Sequence, residues 1–277
     1  VVITMGCGDE CPFYPGTRYL EPTPQRPGDP DKGYEYLIYG DYVSSGIPLK
    51  IYRKGFHDSP FDLDRTGDAD GIPYNFNVVA SGLGEDTSAR TKLVTPNCLT
   101  CHAEMLHGKL VIGLGNNSAD HTAYSQRQFK AASIAIQVGY GKRSPEWAGY
   151  YPLSRSHESI GRLILTQVRG VNPADKIFAA LAAHRRTEDL SWLEEKQFDV
   201  PTEVVPTDVP AWWLMKKKNA LYYNGLGRGD FARLSSASGM LTMRDSAEAG
   251  RIDAHFPDVM AWIRTLKPPK YPYPIDT

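Results

Sequence analysis

The sequence predicts a mainly α-helical domain with long irregular loops and a few short strands. Six stretches read as helices, a short one near residue 30 and five further along. Turn formers are abundant, with 25 Gly and 21 Pro among 277 residues, which argues against a regular bundle. Only brief stretches, such as residues 109–112, read as strands. The length and the 41% hydrophobic content suit one large domain or two small ones, with ample material for a core.

In chain order, residues 12–35 are rich in Pro, Gly and charge and read as an extended arm. Residues 1–23 are set apart as an N-terminal arm or the remnant of a targeting segment, and residues 24–277 as the domain. A short helix follows Asp29-Pro30-Asp31, with Tyr34, Leu37 and Ile38 on one face. Residues 41–96 show no sustained helical period and read as irregular structure with brief strands. Within them Asp62, Asp64 and the run Gly67 to Gly71 resemble the start of a calcium loop. Asn77 stands where such a loop needs a bidentate glutamate, so a solvated turn is the reading. Residues 109–112 form a strand entering a turn at Gly113 and Gly115, which are too closely spaced for a phosphate loop. Further helices are predicted over 125–140, 156–169, 173–185, 229–242 with an Asp230 cap, and 257–267. The last has Pro257 near its start and Val259, Trp262, Ile263 and Leu266 on one stripe.

Charge excludes some partners. With 31 basic and 32 acidic residues the formal net charge is −1, which points neither to nucleic acid nor to an anionic membrane surface. No apolar run approaches the roughly 18 residues of a membrane span. The start, VVITMGC, reads as the tail of a signal peptide, and Cys7 after Gly6 resembles the acylated cysteine of a lipoprotein, a lipid anchor in that reading.

Four cysteines fall in two pairs, Cys7/Cys11 and Cys98/Cys101. The second lies in PNCLTCHA, residues 96–103. Thiols at i and i+3 occupy neighbouring positions of one helical turn, where both can add to the vinyl groups of a haem. His102, the next residue, can then present an imidazole to the iron from the same turn. The motif therefore reads as one covalent haem c, attached at Cys98 and Cys101, with His102 as proximal iron ligand. The fold expected around it is a cytochrome c-like haem domain. A thioredoxin-like redox pair would want a strand before the motif and a helix after it, whereas Thr95-Pro96-Asn97 reads as a turn and helix cap. A structural zinc site would need a second ligand pair, which Cys7 and Cys11 could supply; otherwise that pair reads as a local disulfide. Haem attachment of this kind happens outside the cytoplasm, so the motif also points to the periplasm or outer surface.

Residues 208–244 are the other unusual stretch. Trp212, Trp213, Tyr222 and Tyr223 are bulky aromatics able to wall a haem, and Lys216 to Lys218, Arg228 and Arg233 could pair with its propionates. A plain aromatic core edge beside a solvated basic face is the competing reading. The second axial ligand separates an electron carrier from an enzyme with an open iron. The candidates are Met215, Met240 and Met243, with His57, His121, His157, His184 and His255. Met240 and Met243 lead because they follow the aromatic and basic stretch, while Met105 and His107 lie too near the motif helix.

With these residues in view, the chain resembles a family of bacterial di-haem c-type cytochromes related to cytochrome c peroxidases and to haem-containing rubber oxygenases. The likeness spans roughly residues 24–275. It rests on PQRPGDPDKGYEYLIYGDYVSSGIP (24–48), GIPYNFN (71–77), NCLTCHAEMLHGKLVIGLGN (97–116), VPAWWLMKKKNALYYNGLGRGD (209–230) and FPDVMAWIRTLKPPKYPYPID (256–276). The resemblance implies that residues 209–230 belong to the haem environment. It also implies a second haem motif shortly after residues 268–276; the sequence ends at Thr277, so a first haem domain is expected here. Separately, residues 1–19 resemble the cysteine segment of thioredoxin-coupled arsenate reductases, in which Cys7 and Cys11 would shuttle a disulfide. The phosphate-cradling loop of that family has no counterpart here.

Three functions are expected, in this order. The first is a domain passing electrons to a partner protein or a second haem. The second is a haem peroxidase or oxygenase, an oxidoreductase with Trp212, Trp213 or Tyr222 lining an open site. The third is a zinc-binding structural module.

Overall fold

The computed structural model describes residues 20–55, 63–81, 90–123, 126–203, 207–222, 225–271 and 273–275. Cys7, Cys11, His57, Asp62 and Tyr223, with all expectations resting on them, lie outside these residues. The described chain is mostly helical with a few short strands, as its composition and periodicity predict.

Helix α1, Pro30–Tyr39, starts where the Asp29-Pro30 pair places it, and the Asp29 carboxylate accepts from the amides of Asp31 and Lys32. Leu37 and Ile38 face inward. The partner of α1 is the long helix α8, Ser246–Thr265. Their approach is so close that a Cβ on Gly33 would sit 2.0 Å from the Asp258 carbonyl oxygen, so only glycine fits there.

Helix α8 corrects the expected start at 257. Asp245 caps it by accepting from the Glu248 amide, and Pro257 lies inside it. A proline in a helix interior frees the carbonyl four residues back. Here that carbonyl belongs to Asp253, and Arg26 donates to it at 3.5 Å while also pairing with the Asp253 and Asp230 carboxylates. The arm thus repairs a bond that the proline removes, and Asn219 donates to the Leu20 carbonyl further along it.

The stretch 41–96 holds more order than its pattern shows. Strands β1 (Ile47–Pro48), β2 (Phe76–Ala80) and β3 (Lys92–Pro96) form an antiparallel sheet with β3 central, pairing Val78 and Ile47 with Val94. Helix α2, Leu49–Gly55, is too short for its period to register, yet Leu49 and Tyr52 bury one face at i and i+3. The calcium-like segment is occupied otherwise: buried Arg65 donates to the carbonyls of Ile38, Ile72, Pro73 and Phe76, while Asp68 and Asp70 are exposed.

After the motif turn, α3 (Leu99–His102), the chain forms a hairpin of β4 (Ala103–Leu106) and the expected β5 (Lys109–Ile112). Its two-residue turn places His107 and Gly108 at φ of 49° and 75°, as a primed turn requires. Helix α4 is Gln126–Tyr140 and α6 is Ala174–Ala183, both close to expectation.

Helix α5 differs from the predicted 156–169. It runs Pro145–Ile160 with Pro152 inside. Ser45 is inserted at that point: its hydroxyl donates to the Gly149 carbonyl and accepts from the Leu153 amide, bridging the interrupted ladder. Helix α7, Phe231–Ser236, begins at the Asp230 cap and tightens into a 3-10 turn, Ala237–Leu241. The main core joins α1, α3, α7 and α8 through Leu37, Leu99, Trp212, Phe231, Phe256 and Ile263. A second core under α5 and α6 contains Ile160, Leu181 and Val200.

Candidate functional site around Cys98, Cys101 and His102

The motif turn is held from both sides by its own neighbourhood. Ahead of it, the Asn97 side-chain oxygen accepts from the Leu99 amide, as the sequence cap predicts, while its amide donates to the Tyr74 carbonyl and to Asn77. Asn77 in turn donates to the carbonyls of Leu37 and Gly40. Both asparagines are buried, so these bonds replace the water each amide lost. Behind it, the Gly113 amide donates to the His102 carbonyl and the Asn116 amide to the Cys101 carbonyl. The hairpin therefore folds back to satisfy carbonyls that a four-residue helix leaves open.

Strand β3 runs into Pro96, so a strand does precede the motif, contrary to the turn expected there. Beyond Asn97 the chain makes a single helical turn and a hairpin, without the long helix that lowers the pKa of a reactive thiol pair. Cys98 and Cys101 are both free thiols, partly buried. Burial pushes the Cys98 thiol up to about 11, against the opposing influence of the Tyr42 and Ser238 hydroxyls. Burial likewise raises Cys101, whose sulfur accepts from the Asn172 amide at 3.5 Å. The Tyr42 hydroxyl donates to the Leu37 carbonyl and accepts from the Cys98 amide.

Not every polar group here is paired: Asn172 Oδ1, Ser238 Oγ and His121 Nε2 are buried without partners, and so is Nδ1 of His102. Burial lowers the His102 pKa to about 4, so the ring is neutral at pH 7. Trp212 lies against it, ring centroids 4.5 Å apart and nearly parallel. The loop after β5 delivers that indole. The Trp212 amide donates to the Gly113 carbonyl, and a Cβ on Gly115 would lie 1.7 Å from the Val209 carbonyl oxygen.

The structure brings some predicted residues to this site and leaves others apart. Trp212 is at the site. Met243 is buried in the same apolar cluster as Leu99 and Trp212, with Met215, Met240 and Cys98 packed against it. Arg185 donates to the Met240 and Met243 carbonyls, fixing that segment. Trp213 is partly buried. Lys216 is exposed and donates to the Leu266 carbonyl; Arg228 is exposed, and Arg233 pairs with Asp253. Burial lowers the pKa of Lys218, and Tyr222 is 42% exposed.

The other histidines have their own settings. His255 stacks on Tyr36, His157 on Phe129 and His184 on Trp192. His107 meets Tyr273 edge-on, and His121 is half-buried on the loop beyond Asn116. Tyr42, Asn172 and Ser238 reach the thiols from distant parts of the chain and have no signature in the motif spacing.

Among the described residues, no group of three or more His, Cys, Asp or Glu could hold a metal ion by itself. No helix among them is long and apolar enough to cross a membrane. Set against protein-family models, curated proteins and solved structures, the chain matches none of them.

Proposed function

We propose that this chain is a c-type cytochrome domain with a cytochrome c-like haem fold. It carries one haem attached through Cys98 and Cys101, with His102 as the proximal ligand, and passes single electrons to a partner protein or a second haem outside the cytoplasm. The observation that carries the reading is the state of the C-x-x-C-H turn: two unpaired thiols beside a neutral imidazole whose buried Nδ1 has no partner. Haem needs two thiols at its edge and one imidazole at its metal, so it does not require three side chains converging on one point. A zinc site does, and its second ligand pair would have to come from Cys7 and Cys11, which lie outside the described residues.

The haem would supply a one-electron iron couple. This chain's own groups would orient and shield it. Trp212 fixes the plane of the His102 ring by stacking on it. The hairpin amides of Gly113 and Asn116 hold the motif turn. Met240 or Met243, in the apolar cluster that includes Cys98, would furnish the second axial ligand of an electron carrier. The resemblance to di-haem cytochromes supports the same reading.

The test is expression with periplasmic haem-maturation machinery, acid-acetone extraction and a pyridine haemochrome spectrum. One haem per chain resisting extraction is expected, and Cys98→Ser with Cys101→Ser should abolish its retention. A sharp low-spin reduced spectrum unmoved by carbon monoxide supports electron transfer. A high-spin spectrum that carbon monoxide shifts would replace that role with peroxidase or oxygenase chemistry. Failure to retain haem, while a control cytochrome matures, overturns the reading.

A further inference from the structure

Helix α4 carries apolar side chains on two faces. The inner face packs Ala132 and Ile136 against Tyr150 of α5. The outer face places Ala131, Ile134, Ala135 and Val138 at i, i+3, i+4 and i+7, the spacing of a single helical stripe. All four are exposed, Ile134 at 63% and Val138 at 84%. Scattered surface apolar residues are ordinary, but an aligned stripe is the pattern of a face that meets something other than water.

The stripe borders a groove between α4 and α5. Ile134 lines it from α4 and Trp147 and Tyr151 from α5, with Lys130 and Lys142 beside them and a volume of about 260 Å³. The Trp147 and Tyr151 rings lie 5.8 Å apart and tilted by 32°. Glu158 also lines the groove. The charge around the stripe is nonetheless one-sided. Residues 121–145 hold four Lys or Arg and no Asp or Glu, although acids outnumber bases over the whole chain. Lys130, Lys142 and Arg143 are exposed. The near-zero total charge, which argues against an anionic surface as partner, therefore conceals one basic and apolar face.

Charge and residue type select what covers it. A second copy would set its own basic segment against this one, so like charges oppose pairing. The core of a protein interface is poor in Lys and Ala, which are what this face offers. Lysine stems with tryptophan and tyrosine rings instead suit the zone where headgroups meet acyl chains. We propose that the outer face of α4, with its groove, docks on an anionic phospholipid surface. Ile134 and Val138 enter the acyl boundary, and Lys130, Lys142 and Arg143 meet the headgroup phosphates. The helix lies on the bilayer and does not span it. This inference is independent of the haem reading.

Vesicle flotation of the full chain provides the test, with Cys7→Ser so that no acyl group at that residue contributes. Vesicles of equal parts phosphatidylglycerol and phosphatidylcholine should carry the chain, and pure phosphatidylcholine should not. Lys142→Ala with Arg143→Ala should weaken the binding about thirtyfold. Ile134→Ser with Val138→Ser should weaken it about tenfold, at an unchanged urea midpoint because both side chains face water. Lys267→Ala with Lys270→Ala removes exposed cations elsewhere and should leave binding unchanged. Equal binding to both kinds of vesicle, or binding that both pairs of α4-face variants leave intact, overturns the proposal. Release by sodium phosphate beyond that by sodium chloride at equal ionic strength also overturns it, in favour of a free-phosphate site. So does a dimer, formed without vesicles, that Ile134→Ser with Val138→Ser dissolves.

Discussion

Asn97 and His102 stand five residues apart on the same turn and are treated in opposite ways. Asn97 is buried with both ends of its amide bonded, to Leu99, Tyr74 and Asn77. His102 lies against Trp212 with Nδ1 unpartnered. A buried polar group without a partner costs stability. The first residue builds the turn, and the second is what the turn presents.

The largest effect should come from breaking the paired side. Asn77→Ala strips the Leu37 and Gly40 carbonyls and the Asn97 amide of a partner, and should cost about 3 kcal/mol in urea denaturation of the haem-free chain. A loss no larger than that of an exposed substitution would sink the view that this pair anchors the turn.

On the unpaired side the sign should reverse. His102→Phe keeps a ring against Trp212 and removes a buried orphan nitrogen, so the haem-free chain should hold or gain up to about 1 kcal/mol. The same variant should lose the proximal ligand, which its haem spectrum would reveal. Marked destabilisation would mean that the imidazole is a structural element.

A smaller effect separates burial from function. Burial lowers the pKa of His157 to about 4, from an ordinary 6.5, although it stacks on Phe129 rather than at the motif. Between those pH values the unfolded chain binds the extra proton, so stability rises with pH there and is lost on acidification from 6.5 towards 4. His157→Phe should flatten that part of the stability profile while leaving haem retention unchanged. A profile no flatter than the parent's would show that His157 titrates normally in the folded chain.

Much of the helical framework was legible because its signals are local. The Asp29-Pro30 and Asp230 caps and the apolar periods of α4 and α6 depend on neighbours within a turn or two. The errors have non-local causes. Pro257 reads as a helix start, yet Arg26, from the other end of the chain, bonds the carbonyl that the proline frees. Near Pro152, Ser45 bridges the Gly149 carbonyl and the Leu153 amide of the interrupted helix. No spacing rule anticipates either repair.

The site divides along the same line. Cys98, Cys101 and His102 are fixed by covalent spacing and stand out in the sequence. Trp212 was marked by its bulk, but its stacking on His102 depends on the loop at Gly113 and Gly115. Tyr42, Asn172 and Ser238 arrive only through tertiary folding. The basic residues Lys216 and Arg228, marked by the sequence as cations for haem propionates, stand at the surface.

The clasp on the motif turn also bears on timing. Its bonds to Asn75, Gly113 and Asn116 close loops of short span, which form early and at low entropic cost. The rings and sulfurs that cover it, from Trp212 to Met243, come from more than a hundred residues further on. A ribosome or translocation channel releasing this chain from its N-terminus would expose a shaped turn before its cover had emerged. On the proposed haem reading, that interval would give a maturation enzyme access to both thiols and the imidazole while they are still open to water.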